Sequence, residues 1–527
     1  MNDVKGLSLI GFSEGQAGGG ARPYDSAGRE HFGPEFAWAL PEEVSKAIRL
    51  AKEASPVWAA LDPKTRAEFL REIAKGIEDK AARIVELATR ETALPAARIQ
   101  GEIGRTTGQL RLFAMLVEEG WWRDARIDHA DPTRKPVPKP DVRSMLVPLG
   151  PVAVFSSSNF PLAFSVAGGD TASAFAAGCP VIVKAHQGHL ATSEFVGRIV
   201  VEAVRKCGLP EGSFSLLFGP GRTVGMALVK DPAIQAVGFT GSRSGGRALM
   251  DAAASRPSPI PVYAEMGSIN PLVILPGALR DRSESLAVGL AGSVTLGVGQ
   301  FCTNPGLVIL EKGAETDAFL VQLGAELAKV GPGAMLTESI CHEFHEGLNR
   351  FGKISGIEIR TRVDAPEGKA GAVLLSTTGE NFLAHPDLLE EVFGPATLAV
   401  VCDGPAGVDA VVGALDGQLT GTLHAGTGDN HRAQKLFPLL GEKVGRLVYN
   451  GFPTGVEVCH AMNHGGPYPA TADGRSTSVG TRAITRFARP MCWQNMPEEL
   501  LPAELRESNP LRLFRLINGR WQNQIGD

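Results

Sequence analysis

The stretch PVAVFSSSNFPLAFSVAGGDTASAFAAGCPVIVK, residues 151–184, decides the fold class. Val152-Ala153-Val154-Phe155 is a short apolar run without alternation, as a strand buried on both faces requires. The Ala-rich segment from Phe164 to about Ala177 reads as a helix, and Val181-Ile182-Val183-Lys184 as the next strand. The unit then repeats. Strands at Phe214–Leu217, Ala236–Phe239 and Val262–Glu265 alternate with helices through about Val204, after Gly221 and from about Ser244. Repeated βα units imply a parallel sheet with right-handed crossovers and helices on both faces. Ligands of such a sheet sit at the carboxyl ends of its strands.

Upstream, helical spacing predicts helices from Pro41 to about Ala59, from Pro63 behind an Asp62 cap, from Ala81 through about Thr92, and from Ala96 to about Glu119. The segment from Asp131 to Pro140 is Pro-rich and basic, so it reads as an extended connection or an edge strand. Downstream, the pattern starts again with strand Leu272–Leu275, helix Ser285–Leu296, strand Gly306–Glu311 and helix Thr316–Val330, which indicates a second α/β domain. The role of Asn509 to Asp527 is open at this level.

A length of 527 residues calls for at least two cores. A net charge of −5 gives no overall field for nucleic acid. The seven cysteines include no CxxC pair and no metal-ligand spacing with histidine, so reduced thiols and no metal are expected. The start Met1-Asn2-Asp3-Val4-Lys5 lacks a secretory pattern, and no apolar run has the length of a membrane span. A cytoplasmic protein is expected.

Four positions fall at strand ends or in Gly-rich turns: Asn159, Lys184, Glu265, and Cys302 in the run Gly299-Gln300-Phe301-Cys302-Thr303-Asn304. A thiolate suits attack on an electrophilic carbonyl. Taken singly, each has a plainer reading: a buried small thiol, a helix-capping Asn, a strand-end carboxylate paired with a lysine.

Taken together, Asn159-Phe160-Pro161, Lys184, Phe239-Thr240-Gly241-Ser242, Glu265-Met266-Gly267, Cys302 and Glu391-Val392-Phe393-Gly394-Pro395 resemble, in order, the NAD(P)-dependent aldehyde dehydrogenase superfamily. The likeness runs over about residues 35–500. It implies two doubly wound Rossmann-type domains plus a small oligomerisation hairpin. The cofactor-binding domain would be 1–127 with 148–266, the catalytic domain 267–484, and the oligomerisation element 128–147 with 485–505, leaving 506–527 as a C-terminal extension. It also implies roles: Cys302 as nucleophile, Asn159 as oxyanion donor, Glu265 as general base.

On the cofactor side, Gly241, Ser242 and Gly246 precede a helix whose N–H groups can meet a pyrophosphate. The resemblance implies that Lys184 contacts the adenosine ribose and that Glu391 and Phe393 hold the nicotinamide riboside. Where many relatives carry an acid after this lysine, the chain has Lys184-Ala185-His186-Gln187, and Arg222 stands in a nearby turn. Losing an anion and gaining a guanidinium suits a 2′-phosphate, so NADP is the expected preference with NAD as alternative. A solvent-facing Arg222 is the plainer reading.

Segments around Tyr263–Pro271, Gly299–Gly306 and Asn450–His460 resemble the subgroup acting on 2-oxoglutarate semialdehyde (2,5-dioxopentanoate). Such a substrate carries a carboxylate and calls for a cation in the tunnel. Phe160, Phe301 and Thr303 are the expected lining. Arg475 is the candidate cation, within a lining that also includes His464–Pro469. Medium- or long-chain aliphatic aldehydes fit Ser158 and Phe301 equally well. A CoA-acylating relative and a non-catalytic binding protein are the remaining alternatives. A homodimer or homotetramer is expected, with no nucleic-acid or membrane partner.

Overall fold

A computed structural model describes residues 3–523. It contains two seven-stranded sheets and a third of five strands. In the first sheet the order is Val262–Glu265, Ala236–Thr240, Val152–Phe155, Val181–Lys184, Phe214–Leu217, Leu9–Ile10, Ser13–Glu14. The first five are parallel, and the last two close the edge antiparallel. The chain runs outward from Val152–Phe155 through two strands, then returns to its other side with Ala236–Thr240. The loops after Val152–Phe155 and Ala236–Thr240 therefore part in opposite directions. That divergence opens a crevice at the strands' carboxyl ends.

The helices Pro41–Ala60, Pro63–Asp79, Ala81–Thr92 and Ala96–Glu119 follow the sequence spacing closely. Asp62 caps the second, its Oδ1 accepting the Thr65 N–H at 3.0 Å. Trp58, Phe69 and Phe175 meet in the largest core, with ring centroids 5.0–5.5 Å apart.

Two expectations need correction. The helix expected from Phe164 begins only at Gly169. The Phe164 carbonyl accepts the Ser157 N–H at 2.8 Å and the Ala163 carbonyl the Gly169 N–H at 2.9 Å, so this segment turns instead of coiling, and Glu102 anchors it through the Leu162 and Ala163 N–H groups at 2.9 Å. After Gly221 the chain makes a wide π-turn to Gly225 and only a five-residue α-helix, Met226–Lys230. Residues 506–527, expected as a C-terminal extension of open role, join a sheet through their described part. Phe514–Ile517 lies parallel to Arg126–Asp128, and Arg520–Asn523 pairs with it. They complete the sheet whose other strands are Val142–Pro148 and Ala488–Gln494. The Pro-rich segment is the connection at the tip of this sheet, closed by a bridge between Asp131 and Lys139.

The second large sheet is ordered Glu358–Arg362, Val373–Thr378, Ala396–Cys402, Leu307–Glu311, Leu272–Ile274, Gln418–His424, Val444–Tyr449, parallel except at the first strand. A late segment links it to the first sheet at a joint beside Glu265. Thr471 bridges Glu265, Met266 N donates to Ala470 O at 2.8 Å, and Ala472 N to Ala264 O at 2.9 Å. A late segment thus extends the strand that ends in Glu265. Among the described residues, no helix is long and apolar enough to cross a membrane.

Candidate active site

That joint assembles the reacting groups. Glu265 ends its strand with 4% of its surface exposed. The segment that bridges it also carries His464, whose Nε2 lies 2.9 Å from Glu265 Oε1 and 3.4 Å from Cys302 Sγ. Ser478 Oγ donates to the other carboxylate oxygen of Glu265. Sulfur, imidazole and carboxylate lie within 4.8 Å of one another. The expectation of no metal-ligand grouping did not foresee this set, whose donor types Zn²⁺ accepts. His464 Nδ1 is buried without a partner, so the proton the pair needs belongs on Nε2.

Burial, then the Glu265 charge, push the Cys302 thiol well above the ordinary thiol range, while Arg105 pulls it down. Burial also pushes Glu265 up. The charge of His464, with hydrogen bonds from His464, Ser478 and Cys302, outweighs it and holds the carboxylate below its usual value. The resting site keeps its proton on sulfur and its charge on oxygen.

The Cys302 loop is wound tightly. Gly297, Val298 and Gly299 all have positive φ, near 56°, 58° and 66°. At Val298 this is strained, because a β-branched side chain crowds the left-handed region. At Gly299 a Cβ would lie 2.3 Å from the Gly394 backbone, so only glycine lets this loop sit on the Glu391–Pro395 segment. Asn270 clamps the loop from below, with Nδ2 near Cys302 O at 2.8 Å and Asn304 O at 2.9 Å. Asn159 comes from the crevice loop, and its Nδ2 donates to Gln300 O at 3.1 Å. One N–H is committed to the Cys302 loop, and the second is left for a ligand.

Phe160 and Phe301 meet edge to face at 5.5 Å and join Phe164 and Val479 in an apolar cluster. Thr303 is sealed beside Cys302, its Oγ1 without a partner. Arg475 does not join them. Its side chain is 91% exposed and its guanidinium is held by Asp473. A solvated, paired cation is already compensated and has little to gain from a substrate acid.

On the nucleotide side, Ser242 caps the helix Arg243–Ala254, and Gly241 N donates to Glu265 O at 3.0 Å. A Cβ at Gly246 would strike Met266 Sδ at 2.6 Å, so the glycine seats this helix against the Glu265 strand. Lys184 is buried, without a hydrogen bond or ion pair among the described residues, and burial lowers its pKa to about 8. Burial lifts Glu391 to about 7, against a backbone hydrogen bond from Ser268. It leans over Gly267, where a Cβ would lie 2.4 Å from Oε2. A buried amine and a buried carboxylate with spare hydrogen-bonding capacity fit the hydroxyls of a dinucleotide's riboses. Phe393 and Glu391 line the same pocket as Gly299 and Asn304. His186 Nδ1 accepts from Gly188 N at 3.0 Å. Arg222 is exposed, with no ion pair among the described residues.

Sequence reasoning missed His464 as a neighbour of both reacting groups, Asn270 as the loop clamp and Glu102 as the anchor of the Asn159 loop. A signal for Glu102 existed: Arg98, Glu102 and Arg105 recur at i, i+4 and i+7 on one side of a single helix.

The model of the aldehyde dehydrogenase family matches residues 29–466. Alpha-ketoglutaric semialdehyde dehydrogenase 2 of Azospirillum brasilense is 51% identical over 522 residues, 98% of this chain and 99% of the relative. Alpha-ketoglutaric semialdehyde dehydrogenase of Acinetobacter baylyi is 45% identical over 92% of each. The crystal structure of lactaldehyde dehydrogenase from Escherichia coli superposes with a TM-score of 0.80 at 22% identity, covering 93% of this chain and 98% of that one. With the Cys302 loop, the Glu265 strand and the Glu391 segment converging on one crevice, these matches settle the assignment: the chain belongs to the aldehyde dehydrogenase family.

Proposed function

We propose that this enzyme oxidises 2,5-dioxopentanoate to 2-oxoglutarate with NADP⁺ as the preferred acceptor. The observation that carries the substrate is the 51% identity, end to end, to a relative named for that semialdehyde. Arg222 carries the cofactor preference. It follows the strand Phe214–Leu217, whose end is in register with Lys184, and offers an unpaired guanidinium beside that lysine's strand.

Cys302 first loses its proton to solvent, against the burial and the Glu265 charge that raise its pKa, so Glu265 stays ionised for the later step. Sγ forms a bond to the aldehyde carbon, and the carbonyl π pair moves to oxygen. The free N–H of Asn159 Nδ2 and the Cys302 backbone N–H are the donors for that oxyanion. Removing one such donor typically costs about 3 kcal/mol of transition-state stabilisation. When bound, NAD(P)⁺ supplies the acceptor for the hydride that leaves this carbon, and a thioester on Cys302 remains. Lys184, Glu391, Phe393 and the Ser242 helix end are the groups that would hold it. Glu265 then takes a proton from water as the new carbon–oxygen bond forms. The carbon–sulfur bond breaks, the acid leaves, and the thiolate is restored.

All seven cysteines are free, as a reducing compartment such as the cytoplasm requires. Among the described residues the strand Ala488–Gln494 pairs on one side only and is mostly exposed, which suits a homodimer or tetramer built across that edge.

The test is steady-state turnover of 2,5-dioxopentanoate, hexanal and glutaraldehyde with NAD⁺ and NADP⁺, with and without CoA. The expected result is a strong preference for the dicarbonyl acid, release of free 2-oxoglutarate and no CoA dependence. A preference for hexanal overturns the substrate.

A further inference from the structure

We infer that Arg105 is the cation that grips the carboxylate of the substrate, an inference that rests on the oxo-acid reading above. The helix Ala96–Glu119 turns Arg98, Glu102 and Arg105 toward the aromatic cluster beside Cys302. Arg98 Cζ lies 4.5 Å from the Phe160 ring centroid and 5.3 Å from that of Phe301. Arg105 Cζ lies 5.2 Å from Phe160 and 5.3 Å from Phe164. The Phe164 ring faces His464 at 6.3 Å, and His464 touches the sulfur. Arg105 is therefore separated from the reacting thiol by one phenyl ring and one imidazole.

The two arginines are in opposite states. Arg98 Nη1 is paired with Glu102 Oε2 at 2.7 Å. The other oxygen of Glu102 accepts from the Leu162 and Ala163 N–H groups, and Glu102 reaches Arg105 through its charge without a hydrogen bond. Arg105 has no hydrogen bond or ion pair among the described residues, and its Nε and Nη2 are shielded from solvent without a partner. A guanidinium in that state bears a desolvation cost that the nearby Glu102 and Glu265 charges only partly offset. Its charge still acts on Cys302 and Glu265. A substrate carboxylate reaching this guanidinium alongside the phenyl rings would supply the missing acceptor, with bidentate geometry available. The rings would hold the methylene stem. A neutral aldehyde fills the same rings and leaves Arg105 uncompensated. The specificity thus lies in a group the enzyme leaves unpaired until the acid arrives.

The experiment compares kcat/KM for 2,5-dioxopentanoate, 5-oxopentanoate and pentanal in the full chain, in Arg105→Met and in Arg105→Lys, at saturating cofactor. For Arg105→Met the ratio of either acid to pentanal should fall about 10- to 100-fold, the worth of a hydrogen bond to a charged group. Arg105→Lys should recover part of that ratio, because the charge remains and the planar fork is lost. Thermal unfolding of each variant reports whether the fold is intact, and the lysine variant carries the test if the methionine variant does not fold. An equal loss for acids and pentanal overturns the inference, since Arg105 would then act only on the charge of Cys302. An unchanged ratio overturns it as well. Wild-type enzyme that handles pentanal as well as the acids sinks the substrate reading itself. A wild-type preference that survives in both variants sinks Arg105 alone.

Discussion

The thiol side and the nucleotide side of the crevice are built on opposite rules. Around Cys302 the polar groups are held by one another: Glu265 by His464 and Ser478, Cys302 by His464, its loop by Asn270 and Asn159. Across the crevice, Lys184, Arg222 and Glu391 have no side-chain partner among the described residues. A reacting centre must be in place before the substrate arrives, because reorganisation during the reaction is costly. A site that reads hydroxyls and phosphate must keep its donors and acceptors open. Arg105 obeys the second rule although it stands on the first side.

The largest effect belongs to the connected side. Glu265→Gln keeps the shape and removes the base, so kcat should fall about 10²- to 10⁴-fold. The same change should make the thiol more reactive. Burial and the Glu265 charge both raise the Cys302 pKa, and only the second is removed. Alkylation by iodoacetamide at neutral pH should therefore speed up as more of the thiol is ionised, by less than the rise in thiolate because a less basic thiolate is a weaker nucleophile. Slower alkylation would mean that Glu265 is needed to make the thiolate and that the two groups do not simply repel.

His464→Leu tests whether the bridge between sulfur and carboxylate matters beyond packing. Losing a donor to a charged acceptor should lower kcat about 10- to 100-fold. The sign in pH is set by Cys302, whose pKa is already raised. Without the Nε2 donor the thiolate is less supported, so the rising limb of kcat/KM should move to higher pH. A reduced kcat with an unmoved profile would assign His464 to packing alone. His464→Gln keeps an N–H donor and should sit between the two.

These two regions were also unequally legible from sequence. Part of the nucleotide side is local: the strand Ala236–Thr240, a turn and the helix capped by Ser242 lie within a few residues. The thiol side depends on closure over distance. His464 reaches Glu265 across 199 residues because Thr471 extends a strand of the other domain, and no spacing rule reports that. The placement of the loop before the helix at Gly169 has the same origin. Its Leu162 and Ala163 N–H groups are held by Glu102, some 60 residues earlier. Likewise, the two strands after residue 513 lack a long alternating run, and their pairing with Arg126–Asp128 is a tertiary fact.

The smallest expected effect tests the open side. Arg222 is exposed, so any ion pair it makes with a 2′-phosphate is weakened by water and salt. Arg222→Ala should raise KM for NADP⁺ about tenfold, near the low end for a charged hydrogen bond. KM for NAD⁺ should stay nearly constant, because Lys184 and Glu391 address hydroxyls that both dinucleotides share. The discrimination should also shrink as ionic strength rises, which a buried contact would not show. Equal losses for both cofactors would place Arg222 in the shared part of the site, and the two sides of the crevice would then differ less in design than their hydrogen bonds suggest.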